Sequence, residues 1–425
     1  MSALLFLGTL LVLIAVGMPI AFALLFAGVA LMLQLDQFDA QIVVQNAIGG
    51  ADNFVLMAVP FFILAGEFMN AGGLSRRIVE LAGAFVGHLR GGLGYVAIFA
   101  AVLLASLSGS AVADTAALAA ILVPMMRQAG YDPARSCGLM AAGGIIAPVI
   151  PPSIGFLLFG VVANLSITRL FLAGIMPGVM MGGSLVLAWW WVSRKSSMQL
   201  APRQSIAARL RLMGKGFWAL LLPVIIIGGL KFGIFTPTEA AVVAAAYALF
   251  VGAVVYRELT PATIYHCLLV TARTTAVVLL LAALAMVASY MITIADIPGQ
   301  VGGWLQVLGD SPLALTAAMM VVIFLAGMVL DFIPIVLIFT PVFLPIVQQA
   351  GIDPVYFGVI FIINCSLGMI TPPVGVVLNV VSSVGKVSMT QAVRGVLPFL
   401  LAEGAVLLLL VLFPQLVTVP AAWWR

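Results

Sequence analysis

Ser106-Leu-Ser-Gly-Ser110, answered further along by Ile150-Pro-Pro-Ser153, is the stretch that decides how this chain is read. Both segments interrupt long apolar runs with polar or helix-breaking residues. Their surroundings recur. Pro124, Gln128-Ala129-Gly130, Asp132-Pro133, Pro151-Pro152, Leu157 and Pro177 each return 221 positions later, as Pro345, Gln349-Ala350-Gly351, Asp353-Pro354, Pro372-Pro373, Leu378 and Pro398. The register holds across the whole window. A fixed-period repeat of this kind means two copies of one structural unit.

The composition names the solvent. Of 425 residues, 64% are hydrophobic and 8% charged, against about 25% charged in a soluble domain. Mean hydropathy is +1.27. No soluble core hides this much apolar surface, so the chain is a membrane protein. Its apolar runs are long enough to span about 30 Å of hydrocarbon. They are apolar on all sides, which excludes the two-residue alternation of a barrel and predicts helices. Cys137, Cys267 and Cys365 all lie in apolar segments and read as small buried hydrophobes. Two histidines, His88 and His266, are too few and too far apart for a metal centre. The net charge of +4 comes from basic residues in short loops, a topology signal and not a nucleic-acid one. The N-terminus has no basic n-region, so the first helix is expected to be retained.

Topology follows from the charges. Residues 3–35 read as two short helices or one kinked at Gly17-Met-Pro19; residues 54–70 form a helix with an internal Glu67. From Gly92 to Ser106 the apolar limb is about 15 residues, or about 22 Å, too short to cross. A second limb runs to Met126. The flanks of this limb pair carry Arg76, Arg77, Arg90, Arg127 and Arg135. Basic flanks on both ends predict a hairpin that enters and leaves from the cytoplasmic side. In the second copy, the flanks carry Asp296, Asp310 and Asp353 and no basic residue. The reversed pattern predicts an inverted-topology repeat. Trp189-Trp-Trp191 and Trp423-Trp424-Arg425 read as interfacial anchors, and the six basic residues from Arg194 to Lys215 mark a cytoplasmic linker between halves.

The expected fold is therefore an all-α polytopic membrane protein: an inverted-topology repeat with two re-entrant hairpins and broken helices. Scaffold helices occupy 1–53. Repeat one occupies 54–193, with hairpin 1 at about 92–127 and a broken helix at about 136–165. A basic linker fills 194–216, and further scaffold helices fill 217–262. Repeat two occupies 263–425, with hairpin 2 at about 312–348 and a broken helix at about 355–385.

Unwound backbone in lipid must be satisfied by protein, water or ligand. Carbonyl oxygens suit small hard cations, and half-helix N-termini suit anions. The first tip, Ser106 to Ser110, is expected to face the break Ala147 to Pro152. The second, Gly327 to Asp331, is expected to face Gly368 to Val374. Two matched pairs predict two sodium sites, one at Ser106, Ser108, Gly109 and Ser110 with Ala147, Ile150 and Pro152, the other at Gly327 and Asp331 with Gly368, Thr371 and Val374. Glycines and prolines that merely let helices pack would explain one break alone. Asp114 reads equally as a functional intramembrane carboxylate and as a brace of its hairpin. With Thr115, Asn379 and Ser382 it is a candidate substrate contact; such lone polar residues also serve as helix–helix glue. Arg273, Lys386 and Arg394 read as snorkelling cations. There is no P-loop, no His-Glu-x-x-His and no Asp-rich diphosphate motif, so neither ATP hydrolysis nor an enzyme is expected.

Several stretches together resemble one family: Leu64-Ala-Gly-Glu67 with Met69-Asn-Ala-Gly-Gly73, His88-Leu-Arg-Gly-Gly92, Ser108-Gly-Ser-Ala-Val-Ala-Asp-Thr115, Pro151-Pro-Ser-Ile154, Thr236-Pro-Thr-Glu-Ala-Ala241, Thr371-Pro-Pro-Val-Gly375 and Arg394-Gly-Val-Leu-Pro398. The chain resembles the large membrane subunit of tripartite ATP-independent periplasmic (TRAP) transporters, of the dicarboxylate-transporter large-subunit type. The resemblance implies an elevator-type member of the ion-transporter superfamily in the bacterial inner membrane. It implies Na+ as the coupling ion and an organic acid as the substrate: a C4-dicarboxylate, sialic acid or a related carboxylate. It also implies two partners, a small four-helix membrane subunit and a periplasmic substrate-binding protein. Family members are usually richer in Gly or Ser at the first break; Ala147 and Ile150 offer only backbone carbonyls. A stand-alone carrier of the same superfamily would share the hairpins and lack the partners.

Overall fold

A computed structural model describes residues 1–194, 203–305 and 311–423. Lys195 of the basic linker, Asp310 and the terminal Trp424-Arg425 lie outside these residues. The described residues form helices and connections with no strand. Among the described residues, seven helices are long and apolar enough to cross a membrane.

The chain opens with α1 (Ser2–Ala15) and α2 (Ile20–Gln34). They are two helices and not one, because Gly17 takes φ +90° and Pro19 starts the second. Asp39 caps α3 (Ala40–Ala51), and a 3₁₀ turn at Phe54–Met57 leads into α4 (Ala58–Ala71). The amphipathic α5 (Leu74–Val86) follows. Hairpin 1 is α6 (Gly92–Ser108) and α7 (Ala111–Gln128). The first broken helix is α8 (Pro133–Gly144) and α9 (Ile154–Ala163), and α10 (Ile167–Ser193) closes the copy. Between copies stand α11 (Ile206–Lys231) and α12 (Pro237–Phe250), the latter started by a capping box of Thr236 and Glu239. The long α13 (Pro261–Ile294) and short α14 (Ile297–Leu305) precede hairpin 2, which is α15 (Pro312–Gly327) and α16 (Phe332–Gln349). The second broken helix is α17 (Pro354–Gly368) and α18 (Val376–Gly385); α19 (Met389–Leu412) and α20 (Gln415–Trp423) end the chain.

The repeat survives in atomic detail. Ser110 caps α7 and Asp331, its partner in register, caps α16; Asp132 and Asp353 cap α8 and α17 the same way. Gly130 and Gly351 both take positive φ where each hairpin leaves for its broken helix. Both Pro-Pro bonds, Pro151-Pro152 and Pro372-Pro373, are cis.

The inversion is visible in which ends meet. Arg135, at the start of α8, donates to the carbonyls of Arg394 and Gly395 near the start of α19. At the opposite end, Asp353 and Arg169 flank one small cavity near the starts of α17 and α10. Between them α10 and α19 run antiparallel, with Trp189 late in α10 stacked 6.0 Å from Tyr131 and 6.2 Å from Phe399 early in α19. The Trp189 indole N–H donates to Gly91 at 2.8 Å. Gly94 has no side chain because a Cβ there would lie 1.9 Å from the indole. This corrects the reading of Trp189 as a belt residue. It is 1% exposed and belongs to the core, whereas Trp190 and Trp191 are 50% and 68% exposed. Sequence could not separate three adjacent tryptophans; helical rotation does.

Beside the hairpins and broken helices stands a group that draws α4 from the segment expected as repeat one and α13 from the segment expected as repeat two. α4 packs with α12 and α13, and α13 also holds α2 and α3. We refer to this group as the scaffold. α5 is fastened to it by Arg76 and Arg77, which reach Glu258 Oε1 at 2.7 and 2.8 Å. The Arg77 guanidinium also lies 3.6 Å from the Tyr256 ring centre.

Candidate functional site

Each hairpin tip meets the break of its own copy, as the sequence predicts. At the first tip Gly109 adopts φ +63°, and a Cβ there would lie 2.4 Å from the Pro152 carbonyl oxygen. Only glycine allows the tip backbone to touch the unwound backbone so closely. At the second tip Gly327 packs on Gly368, where a Cβ would lie 2.6 Å from the Gly327 backbone. The Val374 N–H donates across this junction to the Met328 carbonyl at 3.1 Å.

The polar side chains at the tips divide by role. The Ser108 hydroxyl donates to Asp114 Oδ1 at 2.5 Å and accepts from the Ser110 N–H at 3.1 Å. Ser110 accepts from the Ala113 N–H as the α7 cap, and Ser106 donates to its own helix at Leu103. Asp331 accepts from the Phe332 N–H at 2.8 Å, and Thr371 donates to Leu367. Ala147 and Ile150 are buried in the first break, and the Ser153 hydroxyl closes that break by donating to the Pro148 carbonyl.

Between the tips and the scaffold lies a cavity of about 340 Å³. Its floor is hairpin 1 from Ser108 to Ala113 and hairpin 2 from Asp331 to Ile333. Its far wall is Gly66 and Glu67 of α4 with Thr274 of α13. Gly66 lets α4 approach tip 1; a Cβ on it would stand 3.3 Å from the Ser108 Cβ. Pro148 and Ile154 bring in the first break and Met369 the second. Of the residues expected from sequence, Ser108, Gly109, Ser110 and Asp331 border this space.

The four residues expected to touch substrate are placed elsewhere. Asp114 is 2% exposed and Thr115 fully buried, behind the tip and outside the cavity lining. Asp114 braces tip 1 through Ser108, and Thr115 lies against Gly144, where a Cβ would come within 1.8 Å of its hydroxyl. Asn379 donates to the Val374 carbonyl and Ser382 to the Val387 carbonyl, so both serve the ends of α18. Glu67 and Thr274 were not assigned to a site from sequence. Glu67 carried a usable signal as a carboxyl inside an apolar helix; Thr274 carried none.

Residues 7–416 match the family described as the tripartite ATP-independent periplasmic transporter, DctM component. The chain belongs to this family. Among its relatives, the 2,3-diketo-L-gulonate TRAP transporter large permease protein YiaN of Escherichia coli is 57% identical, with both chains covered in full. The sialic acid TRAP transporter large permease protein SiaM of Vibrio cholerae is 39% identical over 94% of this chain and 93% of its own. The C4-dicarboxylate TRAP transporter large permease protein DctM of Pseudomonas aeruginosa is 38% identical over 83% and 82%. The YdaH transporter of Alcanivorax borkumensis shares the fold, with a TM-score of 0.68 over 97% of this chain and 98% of its own at 18% identity. The TRAP permease described here is accordingly a membrane transport subunit and not an enzyme.

Proposed function

We propose that this TRAP permease is the large subunit of a sodium-driven, binding-protein-dependent importer of organic acids in the bacterial inner membrane. One observation carries the reading. The N-terminal ends of α7, α9 and α16 converge on a single cavity, through Ser110 to Ala113, Ile154, and Asp331 to Ile333. A helix N-terminus presents backbone N–H groups and the positive end of the helix dipole, and so favours an anion. Among the described residues no lysine or arginine lines the cavity, which leaves the helix ends as the positive potential there.

The neighbouring tip–break junctions supply the complementary feature. They bring unwound backbone of tip and break into close contact, at Gly109 with the Pro152 carbonyl and at Gly327 with Gly368, and unwound carbonyls are what half-helix carriers use for sodium. Na+ at Ser106 to Ser110 with Ala147, Ile150 and Pro152, and at Gly327 to Asp331 with Gly368, Thr371 and Val374, would bring cation charge beside the substrate anion. That proximity is a physical basis for coupling. The names of the relatives (diketogulonate, sialic acid and C4-dicarboxylate transporters) support an organic acid as cargo. Their TRAP membership supports a small membrane subunit and a periplasmic binding protein as partners. The two hairpins and broken helices would move as a transport body against the scaffold, with Gly66 and Ser108 at the sliding contact.

The test is uptake into proteoliposomes holding this permease with its small subunit, with binding protein outside. Labelled organic acid should accumulate only when an inward sodium gradient and the binding protein are both present. Equal uptake without either removes that part of the proposal.

A further inference from the structure

We infer that Glu403 is a proton-binding site linked to the closure of hairpin 2. The proton site stands by itself; its link to sodium rests on reading the second tip–break junction as an ion site.

Glu403 lies on the buried stripe of α19, between Phe399 and Val406. It is 0% exposed, and neither carboxyl oxygen has a hydrogen-bond partner among the described residues. None of the ion pairs among those residues includes it. The repeat indicates what it faces. At the repeat distance its counterpart is Gly182, where a Cβ would lie 2.7 Å from Val102 of α6. The counterpart of Val102 is Ile323, fully buried in α15, and α15 packs against α19. Asn364 replaces Gly143 in the same way, and its amide donates to the Met320 carbonyl of α15 at 2.5 Å. The entry limb of hairpin 2 is therefore flanked by an amide and a carboxyl where that of hairpin 1 meets two glycines. The amide has its partner; the carboxyl has none.

The titratable groups on the elements packed against α19 are engaged elsewhere. On α8, Arg135 is bonded to the carbonyls of Arg394 and Gly395, and Cys137 packs on Gly385. Arg169 of α10 and Tyr356 of α17 border the small cavity that also holds Val417, and the Tyr356 hydroxyl donates to the Leu410 carbonyl at 3.0 Å. Cys365 of α17 stands in register with Gly144, which faces Thr115 of α7, and so turns towards the return limb α16. No titratable side chain occurs on α15, α18 or α20. Arg394, on α19 itself, lies about 14 Å back along the helix.

An isolated carboxylate among apolar side chains is so costly that the group takes a proton instead. Hairpin 2 is closed here, with Gly327 on Gly368 and the Val374 N–H on the Met328 carbonyl. Ile323 lies one turn before Gly327. Parting the junction draws α15 off α19 and admits water to Glu403, which then ionises near the ordinary glutamate value of about 4.3. The closed form thus binds one proton more than the open form. Its advantage is complete below that value and falls by about tenfold for each pH unit above it, until Glu403 ionises in the closed form too. Sodium, which holds the junction closed, binds more weakly as pH rises. Simple competition between protons and sodium at Asp331 has the opposite sign.

The test uses the full permease in nanodiscs as wild type, as Glu403→Gln and as Glu403→Leu, a second neutral variant. Infrared difference spectra near neutral pH should show the C=O stretch of one protonated carboxyl in wild type that both variants lack, and withdrawal of sodium should shrink it. Sodium titration of the melting temperature should give a wild-type half-saturation that rises by up to about tenfold per pH unit, and a flat one in the variants. Absence of the band overturns the proton site. A band and a sodium affinity that ignore each other, in a permease that sodium still stabilises, overturn the link to hairpin 2. Sodium that shifts neither melting nor band removes the sodium reading of the junction instead. The proton site is then judged on the band and on wild-type melting, which should fall relative to Glu403→Gln between about pH 6 and about pH 8; matching profiles overturn it.

Discussion

Gly368→Ala is the substitution that loads the second tip–break junction most directly. The added Cβ would sit 2.6 Å from the Gly327 Cα and carbonyl carbon. Ordinary carbon–carbon contact is about 3.5–4.0 Å, so hairpin 2 must retreat by about 1 Å. Neither clashing atom is the end of a flexible side chain; both are backbone, and they move only with the tip. The same retreat stretches the 3.1 Å bond from the Val374 N–H to the Met328 carbonyl beyond hydrogen-bond range. Overpacking of this kind costs about 1–3 kcal/mol, and the lost bond adds about 1 kcal/mol. The permease should still fold, with a lower melting temperature, and the sodium concentration for half-maximal uptake should rise by at least about tenfold. Sodium titration of uptake in proteoliposomes reads this, with thermal melting in parallel. Gly228→Ala is the control, because nothing stands within 4 Å of its Cβ position and alanine favours a helix interior. A Gly368→Ala permease with the wild-type sodium titration and melting temperature would refute the claim that this junction is closely packed and sodium-binding.

Three further outcomes follow from the same contacts. Ser108→Ala removes the donor to Asp114, whose second oxygen already lacks a partner among the described residues; stability should fall by about 1–3 kcal/mol, measured by denaturation in detergent. Trp189→Ala empties the joint between α10, α19 and the base of hairpin 1 and should cost about 3–5 kcal/mol, and unchanged melting would show the aromatic stack to be dispensable. Asp331→Ala should weaken the sodium dependence of uptake, and an unchanged titration removes Asp331 from the ion site.

The elements legible in the sequence are those whose chemistry is local or repeated. Pro151-Pro152 and Pro372-Pro373 break a helix wherever they occur, and their shared register with the two tips announced which break faces which hairpin. The inversion was legible because loop charges report sides. What stayed hidden depends on distant segments meeting. Glu67 and Thr274 border the cavity only because α4 and α13 pack side by side against the tips. An intramembrane carboxyl alone does not say what it faces. Glu403, fully buried in α19 with neither oxygen partnered among the described residues, carries the same sequence signal as Glu67 and is not part of the cavity lining. The polar residues of α18 misled for the opposite reason. Asn379 and Ser382 look available in sequence, yet backbone carbonyls exposed at the ends of a short helix claim them first.

Sodium at the tip–break junctions and substrate in the adjoining cavity between the tips and the scaffold are expected to stabilise one another. Ala113 borders it, and its side chain makes no hydrogen bond that a thiol would disturb. In a background with Cys137, Cys267 and Cys365 replaced, the rate of maleimide labelling of Ala113→Cys measures access to the cavity. Sodium and a transported organic acid together should slow labelling several-fold more than either alone. Labelling that ignores both, in a variant that still takes up substrate, would contradict the account.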